Sequence, residues 1–148
     1  MLTTKNIFIG IAAVLISAPA FAVDTPNDLA GATKITADKA KELIGAKAKI
    51  YDVRVATEYV EEHIPGAISV PYKENSKKEA GFDASQDKFD LSKIDSDKNV
   101  SIIFQCNGPE CWKSYKASAM AVKSGYKNIY WFRGGLPEWK QKGFATEK

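Results

Sequence analysis

Apolar residues in this chain follow two periods, and stretches of the two alternate. Residues 49–53 (KIYDV), 67–70 (AISV), 100–104 (VSIIF) and 129–132 (IYWF) are short apolar runs of strand length, and 34–35 is a shorter candidate. Between them, 37–44, 56–62, 112–124 and 136–142 read as helices. In 112–124, Trp112, Tyr115, Ala119 and Val122 keep a helical spacing. Thr36 is the expected N-cap of the first helix and Gly45 its stop; Gly125 stops the third. The Pro65-Gly66 turn leads into 67–70. Strands separated by helices predict an α/β fold, a parallel sheet covered by helices on both faces. The run 100–104 is the most apolar and is expected at the centre of the sheet. The stretch 73–98 is charged and lacks a sustained period, so it is expected to be a surface excursion with one helical turn near 91–94.

The N-terminal pattern is different in kind. Lys5 precedes an apolar stretch at 7–16 (IFIGIAAVLI), and Ala20-Phe21-Ala22 follows as a small-x-small cleavage site. Residues 1–22 are therefore expected to be a secretory signal peptide. The apolar stretch is shorter than the roughly 20 residues of a membrane span, so an uncleaved anchor fits less well. Export is the expected localisation, to the periplasm if the source is a Gram-negative bacterium. No stable membrane association is expected after cleavage. Residues 23–32 are rich in small and turn-forming residues and read as a flexible lead-in to one domain, 33–148.

Composition excludes little beyond this. The chain of 148 residues carries 21 Lys and Arg against 18 Asp and Glu, a net charge of +3. Removal of Lys5 lowers that to +2. So small an excess gives no reason to expect a nucleic-acid partner. One histidine, His63, and two cysteines do not make a zinc site of usual spacing, and neither a metal nor a cofactor is expected.

The chemistry lies in VSIIFQCNGPECWKS, residues 100–114. A buried strand ends at Gln105 and a helix begins near Cys111 or Trp112, so Cys106 opens a tight loop facing a helix N-terminus. Amide N–H groups and positive potential there stabilise a thiolate or a persulfide anion, and lower the thiol pKa without a histidine base.

That loop and two flanking motifs resemble the rhodanese homology domain. Ile50-Tyr51-Asp52-Val53-Arg54, Glu58-Tyr59 and His63-Ile64-Pro65-Gly66-Ala67 are similar to the family's DVR…E(Y/F)…GHIPGA signature. Gly134-Gly135, Trp139 and Gly143 resemble its closing GG…W…G segment. The resemblance implies a sulfurtransferase with no cofactor. Its cysteine takes a sulfane sulfur from thiosulfate or a persulfide or polysulfide and passes it, through a persulfide, to a thiol, cyanide or protein acceptor. The family's six-residue loop maps onto 106–111. This makes Cys106 the expected catalytic residue and the backbone of Asn107, Gly108, Glu110 and Cys111 the expected anion-binding loop. Relatives of the phosphatase kind use a loop one residue longer that ends in arginine, where this chain has Trp112.

Several residues stay open between two roles. Pro109 lacks an N–H, and Glu110 brings a negative charge to an anion cradle unless it points to solvent. Cys111 is either a resolving thiol, attacking the Cys106 persulfide to close a disulfide, or an inert helix-start residue. Arg54, Arg133 and Lys113 are candidate auxiliary cations; Asp52 is read as part of a structural ion pair. Two other functions remain open: a dithiol–disulfide redox protein using Cys106 and Cys111, and a non-catalytic binding module.

Overall fold

A computed structural model describes residues 22–148. The stretch read as a signal peptide thus lies outside the described residues, except for Ala22. The chain runs β1 (Ala32–Lys34), α1 (Ala37–Gly45), β2 (Lys49–Asp52), α2 (Ala56–Glu61), β3 (Ile68–Ser69), β4 (Ser101–Gln105), α3 (Trp112–Lys123), β5 (Asn128–Phe132) and α4 (Gly135–Gln141). The five strands form one parallel sheet in the order β1-β5-β4-β2-β3, with β4 central, as its apolar run predicts.

Side-chain alternation along the strands divides the core in two. Tyr51, Ile102, Phe104 and Ile129 face one side, where Ala117 and Ala121 of α3 pack. Ile50, Ile103 and Phe132 face the other, against Ala37 and Ala40 of α1 and Leu136 and Trp139 of α4. Both faces are covered, which is the expected α/β architecture. Strands buried on two sides read as continuous apolar runs, and for that reason 100–104 was recognisable.

The Thr36 side chain accepts a hydrogen bond from the Lys39 N–H at 3.3 Å, which caps α1 as expected. The expected stop at Gly45 is displaced. Gly45 is the last helical residue, and the left-handed position falls on Lys47, with φ of 73°. Gly125, at φ of 91°, does terminate α3. The excursion 73–98 is less superficial than its charge suggests. It carries two short 3₁₀ turns, Ala84–Gln86 and Leu91–Lys93, and Ile94 is buried while Phe89 and Leu91 pack against the core on the α3 side. Among the described residues, no helix is long and apolar enough to cross a membrane.

Candidate active site

The carboxyl ends of β2, β4 and β5 come together at one edge of the sheet, and each candidate residue lies on a segment leaving that edge. Gln105 is fully buried and ends β4; Cys106 follows, 1% exposed. Two contacts fix its backbone. The Leu136 N–H donates to the Cys106 carbonyl and to the Gln105 side-chain oxygen, 3.1 Å from each. Gly135, at φ of 55°, lies so close that a Cβ there would collide with the Cys106 carbonyl. The closing Gly134-Gly135 motif therefore has a physical reason: it lets α4 start against the back of the Cys106 loop.

The loop closes on itself through the Cys111 N–H, which donates to the Gly108 carbonyl at 3.0 Å, with Gly108 at φ of 99°. Cys111 is the N-cap of α3, yet its side chain caps nothing. The sulfur of Cys106 takes that place: the Ser114 N–H, in the first turn of α3, donates to Cys106 Sγ at 3.4 Å. Cys106 and Cys111 are joined by a disulfide, with Cα atoms 6.3 Å apart. Cys106 Sγ then carries no hydrogen, so the contact to Ser114 Oγ at 3.1 Å is a hydroxyl donating to sulfur. The Trp131 Nε1–H donates to the same Oγ at 3.1 Å, leaving the hydroxyl proton free for the sulfur. Ser114 and Trp131 are both buried. Trp131 is buried in the apolar run of β5; no sequence pattern marks its hydrogen bond or the role of Ser114.

The loop expected to bind an anion carries both unpartnered and committed N–H groups. Among the described residues, the N–H groups of Asn107, Gly108 and Glu110 have no hydrogen-bond partner, whereas the Cys111 N–H is already committed to Gly108 and is not a free donor. Glu110 is exposed. Asn107 is tied by its side chain to Glu58 of α2 at 2.6 Å. Together with Glu74, Lys78 and Lys113, Glu110 lines a cleft of about 290 Å³ beside Cys111. Lys113 stands at this cleft, where its charge adds to that of the helix N-terminus.

The other two auxiliary cations are engaged elsewhere. Arg54 is 4% exposed; its Nε donates to both Asp52 carboxylate oxygens at 3.0 Å, and its Nη2 to Asp52 Oδ2 at 2.6 Å and to the Glu62 carbonyl at 2.7 Å. Arg54, a candidate auxiliary cation, thus forms the structural ion pair read for Asp52. Glu62 is held below the usual carboxylate range by its hydrogen bonds to Lys140 and then Thr146. Arg133 lies at the right edge but holds Thr25, donating to its Oγ1 at 3.0 Å and its carbonyl at 2.7 Å. Thr25, through its N–H and hydroxyl, donates twice to the Pro109 carbonyl, each at 2.8 Å. Trp112 Nε1 donates to the Val23 carbonyl at 2.7 Å. The stretch read as a flexible lead-in is thus a strap across the outside of the loop. His63 Nδ1–H donates to the Tyr59 carbonyl at 2.8 Å, tying the turn back to α2. Among the described residues, no group of three or more metal-ligating side chains comes together.

A second buried network had no sequence signal. Lys116, fully buried in α3, lies 2.8 Å from Glu74, 2.8 Å from Ser76 Oγ and 3.8 Å from Asp87. Burial raises the Asp87 pKa, but hydrogen bonds from Ser76, Tyr72 and the backbone of Ser76 and Asn75 outweigh it and bring it down to about 2.

The family model for the Rhodanese-like domain matches residues 36–142. A comparison with curated proteins gives no match. Among solved structures, the BH2092 protein of Bacillus halodurans is similar at 24% identity and a TM-score of 0.59, over 78% of this chain and 77% of that one. A polysulfide-sulfur transferase homodimer from Wolinella succinogenes is similar at 16% identity and a TM-score of 0.57, over 80% of each chain. A thiosulfate sulfurtransferase from Pseudomonas aeruginosa shares 23% identity and a TM-score of 0.53 over 78% of this chain, but only 20% of its own length is covered. At these identities the likeness to the solved structures is one of fold, and the family model carries the assignment: this chain belongs to the Rhodanese-like domain family.

Proposed function

We propose that the protein is a sulfurtransferase that carries a sulfane sulfur on Cys106. In the first step the Cys106 thiolate attacks the outer sulfur of thiosulfate or of a persulfide or polysulfide. The donor's S–S bond breaks, sulfite or a thiolate leaves with the electron pair, and Cys106 holds a persulfide. In the second step a thiol, cyanide or a protein acceptor attacks the outer sulfur and Cys106 leaves as the thiolate. The observation that carries this reading is the hydrogen bonding at Cys106 Sγ: two donors from Ser114, at the start of a 12-residue helix, meet the atom on which negative charge develops. Among the described residues the N–H groups of Asn107, Gly108 and Glu110 have no partner, and this reading assigns them to the outer sulfur.

The Cys106–Cys111 disulfide favours a second reading, in which the pair exchanges electrons with thiols. The two are compatible in one cycle. If the Cys111 thiolate attacks Cys106 Sγ of the persulfide, hydrosulfide leaves and the disulfide forms; two external thiols then restore both cysteines. An exported location, where disulfides persist, suits such a resting state.

Intact mass separates the readings. The reduced protein, freed of reductant, is treated with thiosulfate or polysulfide. Wild type and Cys111→Ser are expected to gain one sulfur atom, and Cys106→Ser none. Loss of two hydrogens in wild type, with no sulfur adduct on either variant, would leave only the redox reading.

A further inference from the structure

The two sulfurs of the disulfide have unequal surroundings. Cys106 is 1% exposed, and its Sγ accepts the Ser114 N–H and O–H. Cys111 is partly exposed and lines the charged cleft; its Sγ accepts no hydrogen bond among the described residues. Thiol attack on a disulfide proceeds at the accessible sulfur and is faster when the departing thiolate is the better stabilised one. Both conditions select the same direction here.

We propose that Ser114 is a positioning residue that directs external thiols to Cys111. The thiolate of a small thiol bonds to Cys111 Sγ and the Cys106–Cys111 bond breaks. Its electron pair stays on Cys106 Sγ as a thiolate held by the Ser114 hydroxyl and N–H. The product is a mixed disulfide on Cys111 beside a free Cys106. A second thiol then attacks the sulfur of the first and releases Cys111, so two thiols are oxidised to one disulfide and the protein gains two electrons and two protons. The Trp131 Nε1–H sets the direction of the hydroxyl. Because Nε1–H can only donate, Ser114 Oγ must accept from it and turn its own proton to the sulfur. The inference deepens the reading of Cys106 as sulfur carrier, since the same hydrogen bonds that favour its departure favour it as a nucleophile. It does not depend on which donor supplies the sulfur.

Two measurements test it. First, the oxidised protein is mixed with reduced glutathione and quenched with N-ethylmaleimide, and the loop peptide is sequenced by tandem mass spectrometry. Glutathione on Cys111 with maleimide on Cys106 is the expected pattern; the reverse pattern overturns the proposal. Second, the alkylation rate of Cys106 is followed against pH in Cys111→Ser, with and without Ser114→Ala. Loss of one hydrogen bond to a charged sulfur is expected to slow the reaction at pH 7 about tenfold and to move the profile to higher pH. Superimposable profiles overturn the role of the hydroxyl. Ser114→Ala also leaves the Trp131 N–H unpaired, so both variants are repeated in a Trp131→Phe background, where that structural cost is absent. A smaller shift that persists there is chemical, since Ser114 keeps its hydroxyl without the indole to aim it; one that vanishes there overturns the proposal. The persulfide mass test is read on Cys111→Ser with Ser114 intact. Its failure would therefore count against the sulfur-carrier reading and leave the direction of thiol attack to the trapping result.

Discussion

Two strand-to-helix junctions leave the same edge of the sheet on neighbouring strands, and they have opposite characters. β2 and β4 are paired in register, with Asp52 beside Gln105. After β2 comes Arg54, and after β4 comes Cys106. The Arg54 junction is richer in charge, yet the Nε and Nη2 donors of its guanidinium meet acceptors from the same chain: Asp52 and the Glu62 carbonyl. The Cys106 junction is nearly uncharged at its centre and, among the described residues, leaves three loop N–H groups without partners in the same loop as a hydrogen-bonded sulfur. What marks a site at this edge is the hydrogen-bonding capacity left over after folding, and charge alone is a poor guide to it.

The sharpest way to break that contrast is to alter each junction and measure both chemistry and stability. Cys106→Ser is expected to abolish persulfide formation, to the limit of detection by intact mass, with little change in the urea midpoint of the reduced protein. Arg54→Met is expected to do the opposite. It leaves the Asp52 carboxylate buried and unpaired, which costs on the order of 3–5 kcal/mol. Persulfide formation per folded molecule should be unchanged. A variant that folds with the wild-type midpoint but cannot form the persulfide would move Arg54 into the machinery and collapse the distinction.

The network around Lys116 extends the comparison to α3, where Glu74 joins it to the cleft beside Cys111. Lys116→Met should destabilise by about 3 kcal/mol, because Glu74 and Asp87 would keep their charges without their buried cation. Asp87 gives the same network a pH signature. Its folded pKa is about 2, below the ordinary value near 3.9 of an unfolded chain. A depressed carboxylate stabilises the fold above the unfolded pKa and loses that contribution as pH falls through the folded one. Denaturant titrations between pH 4 and 2 should therefore lose about 2 kcal/mol in wild type. The loss should be smaller in Asp87→Asn. An equal loss in both would assign the acid sensitivity to other groups.

The sequence made one of the two junctions legible and half of the other. Strand and helix periods reveal the sheet and the central place of β4, because parallel strands buried on both faces must be apolar throughout. Cys106 at a strand-to-helix turn follows from the same pattern. Ser114 does not, because a serine in the first turn of a helix is an ordinary helix-start residue and its aim at a sulfur eight positions back depends on the loop's closure. Arg133 and Thr25 are 108 positions apart and Thr25 and Pro109 are 84 apart, so no local pattern connects the strap to the loop. Lys116 looks like a surface lysine beside an apolar stripe; its burial comes from the excursion 73–98, which folds over α3. The Gly134-Gly135 pair was recognisable as a motif, but its reason, the approach of α4 to the Cys106 carbonyl, needed coordinates.

The smallest expected effect probes the one feature of the Cys106 loop that runs against its use as an anion site. Glu110 is exposed at the rim of the cleft beside Cys111, and Lys113 faces the same cleft. An exposed carboxylate repels a dianionic donor through water, so the interaction is weak and screened within about 8 Å at physiological ionic strength. Glu110→Gln should therefore speed the reaction of reduced protein with thiosulfate by about two- to fivefold at low salt, an effect of roughly 0.5–1 kcal/mol. The gain should fade as salt rises. Reaction with a neutral organic trisulfide should not change, because it offers the carboxylate no charge to repel. If Glu110→Gln slows thiosulfate instead, the carboxylate is positioning the loop, and the distinction between its free amides and its rim charge fails. If both donors speed up equally and independently of salt, the substitution has loosened the loop. Stopped-flow rates with the two donors at two ionic strengths distinguish these cases, and they ask of the Cys106 junction what Arg54→Met asks of its neighbour: whether a charge near the edge acts on the ligand or on the fold.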